Sequence, residues 1–276
     1  MPHSIVGAPA GPIVAGLVGA FEAAFPARVR GYYLLGSAAE GSTVPLSDID
    51  CAIVFAGDFA SPAEAAAAES LAEAYAAASP VRLDTVVAAE AALDRLAPAL
   101  RVALKLGSLP LHGADIRPSM ALPAHDGYAM ALADDARRFI ARLRGEERLA
   151  ARHVAFPDAL DPFFGYTRKS IPAWYPPEVP AGTKELVAAV SRIAGALVVR
   201  QARGYVSGKH QAIVRYQSDI GGPWALFAGQ VFERCKHDWQ YLVPEGARER
   251  DELRGLCQRM LGFENAFLAE CGAGDA

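Results

Sequence analysis

The chain has 276 residues, and a prior of roughly 150 residues per domain makes two domains the better reading than one. Hydrophobic residues make up 52% and charged residues 21%, which excludes the low-hydrophobicity, high-charge composition of a disordered chain. A formal net charge of -4 gives no general attraction for polyanions and so argues against a long DNA or RNA partner, whose binding relies on a basic face that displaces counterions.

In chain order, Ile13, Leu17, Phe21 and Phe25, with Val14 and Val18, follow helical spacing. The apolar run 13–21 lacks the basic start of a secretory leader and is interrupted at Glu22, so an amphipathic helix is expected. A short strand follows at 31–35, ending at Gly36, then a short helix, then a second strand over 48–55 that alternates at first and becomes continuously apolar. Ser61 and Pro62 form a cap and first-turn pair for an Ala- and Glu-rich helix over 61–78. A third strand is expected at 81–87, a helix over 89–105, and a short strand or turn over 109–113. Together these form a mixed α/β domain over residues 1–120.

Residues 121–276 read as an all-helical domain, which makes the fold class α+β. Its four main helices are expected over 126–148, 183–203, 224–239 and 248–270, with a stiff, proline- and aromatic-rich segment over 156–182 containing Trp174 and Tyr175. No run reaches the roughly 20 apolar residues of a membrane span. The four cysteines, Cys51, Cys235, Cys257 and Cys271, show neither a CxxC pair nor metal-ligand spacing, so free thiols in a reducing, cytoplasmic setting are expected.

The stretch that carries chemistry is Gly36-Ser37, ten intervening residues, then Asp48-Ile49-Asp50, between two expected strands. Alternate strand residues project to one face, so Asp48 and Asp50 point into the same volume and repel unless a cation lies between them. Mg²⁺ suits such a pair, since it takes carboxylates together with phosphate oxygens and waters. The Gly36-Ser37 turn offers backbone N–H groups and a hydroxyl to a phosphate. Asp84, set in an apolar strand, needs a charged or hydrogen-bonding partner, and the dyad on a neighbouring strand would join it around one or two metals. Taken singly, a Gly-Ser turn, an Asp-x-Asp and a strand-edge Asp are commonly solvated surface features; their combination within one strand context is what points to phosphoryl chemistry.

Gly36-Ser37 through Asp48-Ile49-Asp50 resembles the signature of the polymerase-β-type nucleotidyltransferase superfamily. Within it the chain most resembles the bacterial aminoglycoside adenylyltransferases of the streptomycin and spectinomycin class. Leu111-His112-Gly113 resembles the segment closing their first domain, and Gly204 to Ala212 (GYVSGKHQA) resembles their helical-domain stretch with a nucleotide-contacting lysine. The resemblance implies MgATP bound between two domains, Ser37 and Ser47 near the phosphates, Asp48 and Asp50 on Mg²⁺, and Lys209 on the phosphate tail. Asp84 stands where that family has a glutamate serving as third carboxylate and base; aspartate is shorter by one C–C bond, roughly 1.5 Å. Glu185 lies nearest to the family's drug-binding carboxylate, and Trp174 falls where an acceptor pocket could be lined.

The implied reaction is transfer of AMP from ATP to a hydroxyl of a small, cationic acceptor such as an aminoglycoside, by a monomer or homodimer. Two alternatives stand beside it. One keeps the chemistry on a protein, a tRNA end or another metabolite; the other is a non-catalytic ATP-binding or toxin–antitoxin-like module. Arg203 and His210, with six residues between them, echo the Arg-and-His pattern of helical ribonucleases that accompany minimal nucleotidyltransferases, and chance explains so short a match.

Overall fold

The structure is a computed structural model describing residues 10–149, 153–167 and 182–272; Trp174 and Tyr175 lie outside the described residues. The chain divides into two compact units, Met1–Ala124 and His125–Ala276.

The first unit runs α1 (Ala10–Ala24), β1 (Val29–Leu35), α2 (Gly36–Ala39), β2 (Ile49–Phe55), α3 (Pro62–Ala78), β3 (Leu83–Ala89), α4 (Pro98–Val102) and β4 (Leu109–Gly113). The sheet order is β3-β2-β1-β4. β1 is antiparallel to β2 and β4, and β2 is parallel to β3, as expected when α3 carries the chain across between them.

Strand alternation divides the apolar residues cleanly. On one face, Tyr32, Leu34, Cys51, Ile53, Phe55 and Leu83 pack with Val14, Leu17 and Phe21 of α1 and with Ala68 and Ala72 of α3. The two alanines, four apart on α3, seat that helix closely on the sheet. On the other face, Tyr33, Leu35, Ala52, Val54 and Ala88 pack with Leu93, Leu104, Ile116 and Met120. Asp50 and Asp84 share the parity of this second face and lie where its apolar cover stops.

α3 begins as its sequence dictates: Ser61 Oγ accepts from Glu64 N–H at 3.2 Å, and Pro62 needs no intrahelical partner there. The expected continuous helix over 89–105 does not form. β3 runs on to Ala89, a 3₁₀ turn spans Glu90–Arg95, and α4 starts only at Pro98 before passing into a π turn over Ala103–Gly107. Pro98 has no N–H to donate and holds Ala97 out of helical geometry, at φ -50° and ψ 135°, which ends any helix approaching from the N-terminal side.

Arg28, between α1 and β1, ties α3 to the sheet by gripping both oxygens of Glu64, with Nε to Oε1 at 2.8 Å and Nη2 to Oε2 at 2.9 Å. This contact first, and then the Ala60 N–H, lower the Glu64 carboxyl from an ordinary 4.5 to about 2. A depressed carboxylate stabilises the fold above its unfolded pKa and loses that contribution as pH falls through the folded value. Urea unfolding of Glu64→Gln beside the parent is therefore expected to show a deficit at pH 7 that shrinks between about 4.5 and about 2. A deficit that persists unchanged at the acid end would refute this account.

The second unit comprises α5 (His125–Leu143), α6 (Lys184–Ala202), α7 (Lys209–Arg215), α8 (Gly222–Phe232) and α9 (Ala247–Gly272). α6 is apolar on nearly every side, with Leu186, Val190, Ile193, Leu197 and Val199 all buried, and forms the axis of the unit. α7 is a helix beyond the four expected. α8 passes into a π turn over Glu233–Asp238 and so fills the expected 224–239 span in two geometries. Among the described residues of this unit the only sheet-like pairing is the bridge Gly182 to Leu242. No described helix is long and apolar enough to cross a membrane, and all four cysteines are free and buried.

Candidate active site

The site begins where β1 leaves the sheet. Leu35 pairs with Asp50 across the ladder, and Gly36 then turns with φ +61°, a conformation that disfavours any residue with a Cβ. A Cβ at this position would also lie 2.2 Å from Asp50 Oδ2, well inside contact distance. Conformation and space both favour glycine, and the turn rests directly against the Asp50 carboxylate.

The following loop closes on its own backbone. Glu40 N–H donates to Gly36 O at 3.0 Å, and Ser42 N–H donates to Ser37 O at 2.9 Å. Ser47 completes a tight turn: its N–H donates to Val44 O at 2.8 Å while its Oγ accepts from Val44 N–H at 3.0 Å. Ser47 is buried and Ser37 half-buried.

Ile49 N–H donates to Arg82 O at 2.9 Å, which starts the β2–β3 pairing beside Asp48. Asp50 then has Leu35 opposite on one side and Asp84 opposite on the other. Neighbouring residues in parallel register share a face, so Asp50 and Asp84 are brought together, and Asp48 is the loop residue two before Asp50, just ahead of β2. All three are half-buried.

Asp84 does have the partner its apolar surroundings demand, and that partner is Arg82. Arg82 Nε lies 3.2 Å from Oδ1 and Nη2 lies 3.0 Å from Oδ2, so the guanidinium engages both carboxylate oxygens. Arg82 is a site residue beyond those expected from the sequence. The signal was its position two residues before Asp84, which for a strand edge means the same side. Among the described residues no group of three His, Cys, Asp or Glu side chains is assembled tightly enough to hold a metal. The donors at the strand end are nonetheless all carboxylates. Carboxylates are the oxygen donors that a hard ion such as Mg²⁺ takes together with phosphate oxygens and water, and Asp84 is engaged by Arg82.

Gly36→Ala isolates the turn. It is expected to cost about 1–3 kcal/mol for a left-handed alanine, and more if the Asp50 carboxylate has to move. An unchanged urea midpoint would show that the turn relaxes without involving Asp50.

The second motif lies wholly in the helical unit. α6 ends in a left-handed Arg203, and Gly204 lies so close to the Arg215 guanidinium that a Cβ there would come within 2.1 Å of Nη1. Arg215 Nη1 donates to Tyr205 O at 3.0 Å and Tyr128 Oη donates to Val206 O at 2.7 Å. The Tyr128 and Tyr205 rings stack at 5.3 Å. The loop is thus pinned from α5 and α7, and it delivers Lys209 as the exposed first residue of α7 after Gly208. Glu185 is buried in the first turn of α6. Arg203 pairs with Asp126 at 3.3 Å, and His210 stacks on Phe232 at 5.7 Å.

No family model matches the chain, and no curated protein does. Among solved structures it is similar to spectinomycin adenyltransferase AAD(9) from Enterococcus faecialis, determined with ATP and spectinomycin. The TM-score is 0.53 and the identity 10%, over 94% of this chain and 98% of that one. The likeness is one of fold, and the chain has a nucleotidyltransferase-like α+β fold.

Proposed function

We propose that the chain is a Mg²⁺-dependent nucleotidyltransferase that moves AMP from ATP to a hydroxyl of a small, cationic acceptor of the aminoglycoside type. The observation that carries this reading is the strand end itself: Asp50 sits between Asp84 and a left-handed Gly36 turn that would be strained in any other residue. The similarity to an adenyltransferase fold supports it.

In this reading Asp48 and Asp50 hold the metal. Mg²⁺ would supply neutralisation of charge on the phosphates as they react. The Gly36-Ser37 turn receives the triphosphate, with Ser47 holding the loop in shape and Lys209 assigned to the phosphate tail. The acceptor oxygen forms a bond to the α-phosphorus, the bond from that phosphorus to the bridging oxygen breaks, and pyrophosphate leaves with the electron pair. Asp84 takes the proton from the acceptor hydroxyl. With free cysteines and ATP as donor, we place the activity in a reducing, cytoplasmic compartment.

Pyrophosphate release by purified protein with MgATP, measured against streptomycin, spectinomycin and kanamycin, tests the proposal. Release that needs one drug and is lost in Asp48→Asn supports the reaction and the acceptor class together. If no drug supports release while ATP still raises the melting temperature, the acceptor is a protein, a tRNA end or another metabolite. If ATP neither binds nor reacts, the reading fails.

A further inference from the structure

Two arginine–carboxylate pairs in this chain are built in opposite ways. Arg144 and Glu264 in the helical unit are almost sealed from solvent, at 7% and 0% side-chain exposure. Arg82 and Asp84 keep 30% and 43%. A sealed pair is permanent, because separating it strands a charge in a low dielectric. A half-solvated pair is weakly held and exchanges readily when a stronger partner arrives.

Arg82 is also fixed in place by its backbone. Its carbonyl accepts from Ile49 N–H at 2.9 Å, so the residue is anchored beside Asp48 and one strand away from Asp50. From there its guanidinium reaches Asp84, engaging both oxygens. A carboxylate so occupied is poorly placed to accept a proton from an acceptor hydroxyl. If the strand end receives a triphosphate, Arg82 is the cation nearest in sequence and register to the reacting acids. Phosphate oxygens carry more charge than a carboxylate and offer the same forked geometry to a guanidinium.

We propose that Arg82 is a phosphate ligand parked on Asp84 in the nucleotide-free protein, and that triphosphate binding transfers its guanidinium to the phosphates and releases Asp84. This rests on the nucleotidyltransferase reading of the same site. It adds a residue which that reading does not include and an order of events, with the base becoming free only once the nucleotide is seated.

The test is equilibrium binding to the full chain by calorimetry, with MgATP and MgAMP as probes. Arg82→Ala is expected to weaken MgATP at least tenfold and MgAMP less than twofold, with circular dichroism and melting temperature unchanged. Arg82→Lys, which restores the charge without the fork, is expected to recover part of the MgATP loss. In EDTA, Asp84→Asn removes the competing carboxylate and is expected to tighten ATP several-fold. Equal MgATP binding by the parent and Arg82→Ala overturns the proposal while leaving the nucleotide site standing. Unchanged or weaker ATP binding by Asp84→Asn in EDTA overturns the exchange. A parent chain that does not bind MgATP at all overturns the functional reading, and this proposal with it.

Discussion

Asp50→Asn is expected to reduce pyrophosphate release by at least about 10³-fold, since it removes a charge assigned to holding the metal against the reacting phosphate. Its effect on stability is expected to have the opposite sign. Asp50 and Asp84 lie directly across neighbouring strands, and like charges so placed repel, with the Arg82 guanidinium on Asp84 offsetting part of that repulsion. Asparagine keeps the shape that Gly36 rests against and removes the repulsion. The urea midpoint should therefore hold or rise while turnover collapses. A variant that keeps its turnover, or loses both activity and stability together, would mean that Asp50 serves the sheet and not the reaction.

The largest expected effect on stability lies in the other unit. Glu264 is fully buried and accepts from Arg144 Nη2 at 2.6 Å and from Tyr166 Oη at 2.7 Å, while Arg144 also donates to Ala155 O from Nε at 2.9 Å and from Nη2 at 2.7 Å. One guanidinium thus joins the end of α5, the segment after it, and α9. Arg144→Met is expected to cost about 3–5 kcal/mol, because a buried carboxylate is left without its counter-charge. Adding Glu264→Leu should recover a good part of that loss, since an apolar replacement of both members avoids the desolvation that either alone incurs. Urea unfolding of the two single variants and the double closes the cycle. A double variant as unstable as the two losses added would show that Arg144 acts through its contacts with Ala155 and not through the ion pair.

Much of the architecture was legible because it depends on short-range rules. The Ser61-Pro62 start of α3 is a local capping event, and β1 and β2 announce themselves by aromatic and branched residues on both sides of a glycine. The broken region over 89–105 was less legible: its composition favours helix throughout, and only Pro98 and the extra length of β3 override it. α7 escaped because its seven residues are too few to show a full apolar period. At the site, strand parity anticipates the pairing of Asp50 with Asp84, whereas their neighbours could not be read this way. That Gly36 touches Asp50, and that Arg82 covers Asp84, depends on side-chain reach across a ladder whose register no single strand reveals.

The parallel pairing of β2 with β3 also sets the time at which the acids meet. Leu35 and Asp50 are joined by one loop, so the Gly36 turn and the first acid come together through a short chain closure. Asp50 and Asp84 meet only after α3 has formed and carried the chain back across the sheet, a longer closure that must be completed before its contacts reward it. By closure length the hairpin that carries Asp48 and Asp50 is expected to form ahead of the Asp50–Asp84 pairing, which completes the set of facing acids. Recovery of nucleotide binding during refolding should lag behind recovery of the β1–β2 hairpin, so that the capacity to bind ATP marks completion of the sheet.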